Sequence, residues 1–180
     1  MIQRITSLLI APMLALCVTS NSSATTIEYT ASNIAGTTWQ YDYNVINDSL
    51  GGDIQEFTIY FSQSQYANLD LGITPANWSP VFWQPGSIAG LNDGGYDALA
   101  LASGITPSSS LAGFSIRFDW LGTDAPGSQP FEIIDPQNIS QVMDAGLTSL
   151  AKTVVPVPAA IWLFSSGLIA LAGISRRHYR

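Results

Sequence analysis

The chain is poor in the residues that most often carry chemistry. It has one cysteine and one histidine in 180 residues, and neither lies in its central part. Cys17 sits in an N-terminal apolar segment and His178 in the C-terminal tail. The stretch between therefore holds no Ser-His-Asp triad, no Cys-His pair and no histidine-based zinc site. It has no disulfide either, so packing must stabilise it even in an oxidising compartment. Basic residues are equally scarce. All thirteen acidic side chains lie between Glu28 and Asp144, joined in the central region only by Arg117 and Lys152. Thirteen negative against two positive charges leave that region at −11, while the whole chain is at −7. A surface of that sign excludes nucleic acid and anionic lipid as partners. It is compatible with cations and neutral glycans.

The two ends differ from the middle. Arg4 is the only charge before Glu28. An apolar run from Ile5 to Val18 is followed by small polar residues ending Ser22-Ser23-Ala24. This is the pattern of a secretory signal peptide, residues 1–24, with a signal helix cut after Ala24. A lipidated cysteine would need a small residue before it, and Leu16 precedes Cys17. At the other end, Ala159 to Ile174 carries no charge. As a helix it would span about 24 Å, short against a hydrocarbon core of about 30 Å. Ser175 and snorkelling arginines would lengthen it to a transmembrane helix over 159–175. Pro156 and Pro158 mark its start. Arg176, Arg177 and Arg180 then keep the tail cytoplasmic, with the preceding domain exported.

The segment Val155-Pro156-Val157-Pro158-Ala159-Ala160-Ile161-Trp162-Leu163-Phe164-Ser165-Ser166-Gly167-Leu168 resembles a PEP-CTERM sorting signal of Gram-negative bacteria. It is most similar to the Val-Pro-x-Pro-Ala-Ala-x-Trp-Leu-Phe subgroup, with the basic end Arg176-Arg177. Val157 stands where the common motif has Glu, and Ser165 replaces one usual Gly. The resemblance covers the sorting signal, residues 153–180. It implies recognition by an exosortase, a membrane-embedded cysteine transpeptidase. It also implies cleavage near Pro156–Pro158, a transient membrane stage, and delivery to the cell surface or to extracellular polysaccharide such as a biofilm matrix.

Residues 25–152 make one domain's worth of chain, and the pattern is all-β. Trp39, Tyr41, Tyr43 and Val45 alternate with Gln40, Asp42 and Asn44. Phe57, Ile59 and Phe61 alternate around Thr58 and Tyr60, and Phe114, Ile116, Phe118 and Trp120 around Ser115, Arg117 and Asp119. Period two with aromatic and β-branched residues on one side marks half-buried strands. Thr26 to Thr30 and Phe131 to Ile134 read as further strands, and Tyr96 to Ala102 as a strand or a helical turn. Asn47 to Gly52 reads as the loop of a hairpin joining two strands. Pro126 to Pro130 reads as the loop before a strand returning on Phe114–Trp120. Leu71 to Gly95, rich in Pro, Gly and Trp, reads as an ordered loop. Gln141 to Ala145 is the one helix candidate. The expected fold is an antiparallel β-sandwich, compatible with a jelly roll.

Four features are candidates for chemistry. Trp78, Trp83 and Tyr96 fall in the loop-rich middle, where exposed rings could stack on sugars, against packing as the alternative. Asp93 and Asp97 flank Gly94-Gly95 and could offer oxygen ligands to calcium, although Asn92-Asp93-Gly94-Gly95 is also good turn chemistry. No other cofactor is implied. Glu56 and Asp119 would matter if two carboxylates flanked a sugar, as in glycosidases, but both also suit a solvated strand face. Arg117 could pair with an acid on a neighbouring strand. Asn47, Asn77 and Asn138 each begin an Asn-x-Ser sequon, for which surface loops suffice. The chain thus reads as a non-enzymatic surface or matrix protein, structural or adhesive. A carbohydrate-binding module and a carboxylate-dependent glycan-active enzyme are the alternatives.

Overall fold

A computed structural model describes residues 25–152. The chain divides into two compact units, Met1–Ser149 and Leu150–Arg180, and of the second only residues 150–152 are described. The signal-peptide, transmembrane-helix and sorting-signal expectations all lie outside the described residues.

Among the described residues there are strands and no helix. In chain order they are β1 (Thr26–Ala35), β2 (Thr38–Asn47), β3 (Glu56–Phe61), β4 (Tyr66–Leu71) and β5 (Trp78–Trp83). β6 (Gly94–Ala100), β7 (Ser109–Trp120), β8 (Pro130–Asp135), β9 (Asn138–Leu147) and the two-residue β10 (Ser149–Leu150) follow. They form two five-stranded sheets, ordered β10-β1-β2-β7-β4 and β5-β6-β3-β8-β9. The pairings between the nine longer strands are antiparallel.

The alternation read from the sequence is the alternation observed. Tyr41, Tyr43 and Val45 of β2, Phe57, Ile59 and Phe61 of β3, and Phe114, Ile116 and Phe118 of β7 all point into one core. Rings from opposite sheets meet there. Phe57 and Phe114 lie 5.0 Å apart edge to face, and Phe61 lies 5.2 Å from Tyr66. Such aromatic pairs contribute about 0.5–1.5 kcal/mol each beyond burial. Among the described residues, then, the molecule is a β-sandwich.

Connectivity departs from expectation in several places. β2 and β3 lie in different sheets, so Asn47 to Gly52 is a crossover and not a hairpin loop. Asn47 holds it from inside. Its Nδ2 donates to the carbonyls of Gly52 (2.9 Å) and Ile105 (2.8 Å), while Oδ1 accepts from Leu50 N–H (3.2 Å). Asn47 is fully buried, unlike a surface-loop sequon, whereas Asn77 and Asn138 are exposed. β7 and β8 also lie in different sheets, so the chain after Trp120 does not return on its own strand. β2 forms its hairpin with β1 instead, closed through Gly36 at φ +54°, a region where glycine is favoured.

The Leu71–Gly95 stretch is not all loop, because β5 lies within it. Pro80 cannot donate to a ladder, but β5 is an edge strand, where that loss is tolerated. Gln141 to Ala145 is extended, inside β9. The ladder supplied by β8 across Pro136-Gln137 overrides its weak helical pattern. Tyr96 to Ala100 is strand throughout.

Candidate functional site

Each sheet turns one face to the core and one to solvent, and the two solvent faces differ. On the β10-β1-β2-β7-β4 sheet, the outward positions of the central pair include Thr38, Gln40, Asp42, Ser115, Arg117 and Asp119. Most of these polar side chains satisfy one another, while Ser115 is buried and its hydroxyl accepts from the Ile73 N–H. Arg117 Nε donates to Gln40 Oε1 at 3.1 Å, so its contact is an amide and not the expected acid. Asp119 accepts from Thr38 Oγ1 at 2.9 Å and from Asn68 Nδ2 at 2.8 Å. Those bonds hold its carboxyl below its ordinary pKa.

The outward face of the β5-β6-β3-β8-β9 sheet is aromatic and acidic. Register builds it in rows. One row runs Trp83, Gly95, Tyr60 across β5, β6 and β3. The next runs Val81, Asp97, Thr58, Glu132 across β5, β6, β3 and β8. A third holds Ser79, Leu99, Glu56 and Ile134.

Gly95 decides how Trp83 lies. A Cβ at Gly95 would sit 2.1, 2.3 and 2.5 Å from Cζ2, Cη2 and Cε2 of the indole. Three adjacent ring atoms nearly equidistant from that point place it over the ring face and not beyond the ring edge. The indole therefore lies face down on the glycine, with its other face turned away from the sheet. Its Nε1–H donates to the Asp93 carbonyl at 3.1 Å, which fixes the ring in its plane. Tyr60 stands on the opposite side of Gly95, its hydroxyl donating to Glu132 Oε2 at 2.7 Å. Burial first, then the Glu132 carboxylate, raise the Tyr60 phenol above its ordinary pKa, so it stays a donor. With Gly90, Leu91, Asn92 and Asp93, Trp83 and Tyr60 line an open cleft of about 330 Å³.

Below this row, Glu56 and Asp97 meet across the β3–β6 ladder. Desolvation raises the Glu56 pKa, and the charge of Asp97 and a hydrogen bond to it add to the rise. Asp97 is also raised by burial, opposed by hydrogen bonds from Thr58 and Glu56. Thr58 Oγ1 donates to Asp97 Oδ2 at 2.8 Å.

Of the three rings singled out from the sequence, only Trp83 is on the outer face of its sheet and lines the cleft. Trp78 is buried, 5.1 Å from Phe114 and 5.9 Å from Phe57. Tyr96 is fully buried beside Phe57. Both are on the inner side of their strands, and period-two alternation puts them there. The calcium expectation concerns Asp93 and Asp97. Gly94 to Asp97 is extended strand at about 3.3 Å per residue, which carries Asp97 away from Asp93, and Asp97 is engaged by Thr58. Among the described residues no three His, Cys, Asp or Glu side chains converge for a metal. Glu56 and Asp119 are on different sheets and cannot flank one sugar. Trp120 is buried and Trp39 half-buried, as their alternation requires. Tyr60 and Glu132 are not candidates in the sequence reading, and Gly95 enters it only as part of a turn, whereas it is strand. The available signal was Tyr60 itself, a large ring on the polar side of the Phe57-Ile59-Phe61 alternation.

No protein-family model matches the chain, and no curated protein matches it. Several solved structures are similar to it. A cohesin module from a Clostridium perfringens family 33 glycoside hydrolase matches at 7% identity and a TM-score of 0.42, covering 72% of this chain and 98% of its own. The CBM3b carbohydrate-binding module of the cellulosomal cellobiohydrolase 9A from Clostridium thermocellum matches at 12% identity and 0.38, covering 73% and 99%. The chitin-binding domain of Chi18aC from Streptomyces coelicolor matches at 12% and 0.36, covering 71% and 93%. These likenesses are too distant to say what the chain does, and the function is read from its own residues.

Proposed function

We propose that the chain is a polysaccharide-binding protein of the bacterial surface or matrix, and that it binds without catalysis. The observation that carries this is the Trp83–Tyr60 cleft. An indole pressed onto Gly95 presents a rigid apolar plane, and the C–H face of a sugar ring matches such a plane. Hydrogen-bonding groups surround it, with Asn92 and Asp93 on the loop side and Tyr60 and Glu132 on the sheet side. The absence of catalysis is supported by the missing cysteine and histidine between residues 25 and 152.

The path of the chain is read as jelly-roll-like. Export rests on the signal-peptide pattern of residues 1–24. Sorting by an exosortase rests on Val155 to Leu168 and the arginines after them. In this reading the tail holds the chain transiently in the membrane, and processing delivers a domain that adheres to extracellular polysaccharide.

A pull-down of the full chain on a panel of insoluble polysaccharides tests the binding. Retention that is lost in Trp83→Ala and weakened in Tyr60→Ala is expected, and no retention on any of them contradicts it. The sorting arm has its own test. A genome encoding this chain should also encode an exosortase, and its absence would leave a plain membrane anchor.

A further inference from the structure

The charged groups around the Trp83–Tyr60 cleft all have one sign. Asp93 lines it from the loop side. On the sheet side, Glu132 holds the Tyr60 hydroxyl at 2.7 Å, and Asp97 sits one row below Gly95. Among the described residues of the Met1–Ser149 unit, no basic side chain offsets them on this face. Among the described residues the basic side chains are Arg117 and Lys152. Arg117 is on β7 of the other sheet, and Lys152 belongs to the second unit. The rings point the same way, because the face of an indole or phenol is electron-rich and attracts a cation laid over it. A neutral sugar would gain the stacking and neutral hydrogen bonds, while an anionic uronate would be repelled by the carboxyl groups of Asp93, Asp97 and Glu132. A sugar carrying a protonated amine would gain the stacking, the ring attraction and a charge-assisted bond to a carboxylate.

We propose that the cleft selects polysaccharides with free, protonated amino groups, that is, deacetylated hexosamine polymers, over neutral or acidic ones. This deepens the polysaccharide-binding reading and rests on it.

The test is titration of the full chain at mildly acidic pH with oligosaccharides of equal length. The probes are fully deacetylated glucosamine oligomers, their N-acetylated counterparts, and oligouronates, with oligolysine as a separate arm. The deacetylated oligomer should bind at least about tenfold tighter than the acetylated one. The preference should shrink in Glu132→Gln, which keeps an acceptor for Tyr60 but removes the charge. It should also shrink with added salt. Trp83→Ala should remove binding of both sugars. Equal or tighter binding of the acetylated oligomer would overturn the selectivity and leave the polysaccharide reading standing. Oligolysine binding as tightly as the amino sugar would overturn it differently, by showing a docking site for any cation. Failure of every oligosaccharide to bind would sink the underlying reading itself.

Discussion

The two solvent faces of the sandwich are built from the same period-two rule and come out unlike each other. On the β1-β2-β7 side, polar side chains pair among themselves, as Thr38 with Asp119 and Gln40 with Arg117. Nothing there presents an aromatic plane. On the β5-β6-β3-β8 side, a glycine is placed where two strands offer large rings, and one ring lies down on it. The inner faces supply stability, while the outer faces are free to differ. One outer face is saturated, and the other keeps a plane and several carboxyl groups available to a ligand.

The first way to break the comparison is to remove what the two faces share. Phe57 packs against Phe114 of the opposite sheet, and Phe57→Ala should cost about 3–5 kcal/mol. Chemical denaturation would measure it, and both faces should be lost in one transition. A sharper cut is Gly95→Ala. The new methyl would collide with the Trp83 ring, so about 1–3 kcal/mol of stability should go, with the indole displaced and glycan binding lost. Unaltered glycan binding in this variant would contradict the flat-lying ring.

The faces should also respond to pH with opposite sign. Glu56 and Asp97 have pKa values raised above the ordinary 4.5 and 3.8. Their folded forms hold protons more tightly than the unfolded chain does. The stability they contribute is present below the ordinary values and lost as pH rises through the raised ones. Asp119 is lowered, so its contribution is present above its ordinary value and lost as pH falls through the folded one. Glu56→Gln should therefore stabilise the chain near neutrality by less than about 1 kcal/mol, since Glu56 is largely solvated. Melting temperatures across pH for the parent and Glu56→Gln would show it, with the slope flattened on the acid side. The smallest effect belongs to the saturated face. Gln40→Ala should stay within about 0.5 kcal/mol and leave glycan binding unchanged.

How much of this was legible in the sequence follows from the range of each signal. Alternation is local, so the strands around Tyr41, Phe57 and Phe114 could be read, together with the sides they bury. Sheet membership is not local. Nothing between Asn47 and Gly52 says that the chain crosses to the other sheet, because good turn residues serve a crossover as well as a hairpin. Gln141 to Ala145 is strand because of its ladder partner β8 and not because of its own pattern. The loop-rich neighbourhood of Trp78 and Tyr96 suggests platforms, yet their parity relative to Trp83 and Gly95 puts them inward. The cleft itself depends on a register across three strands, Trp83 to Gly95 to Tyr60, which no local pattern carries.

The most direct test of the aromatic cleft follows the indole N–H resonances of the five tryptophans as an oligosaccharide is added to the full chain, with Trp83→Ala giving the assignment. The account predicts that the Trp83 signal moves while those of the buried Trp78 and Trp120 stay in place. A still Trp83 signal under saturating sugar, or a shift centred on the other tryptophans, would contradict it.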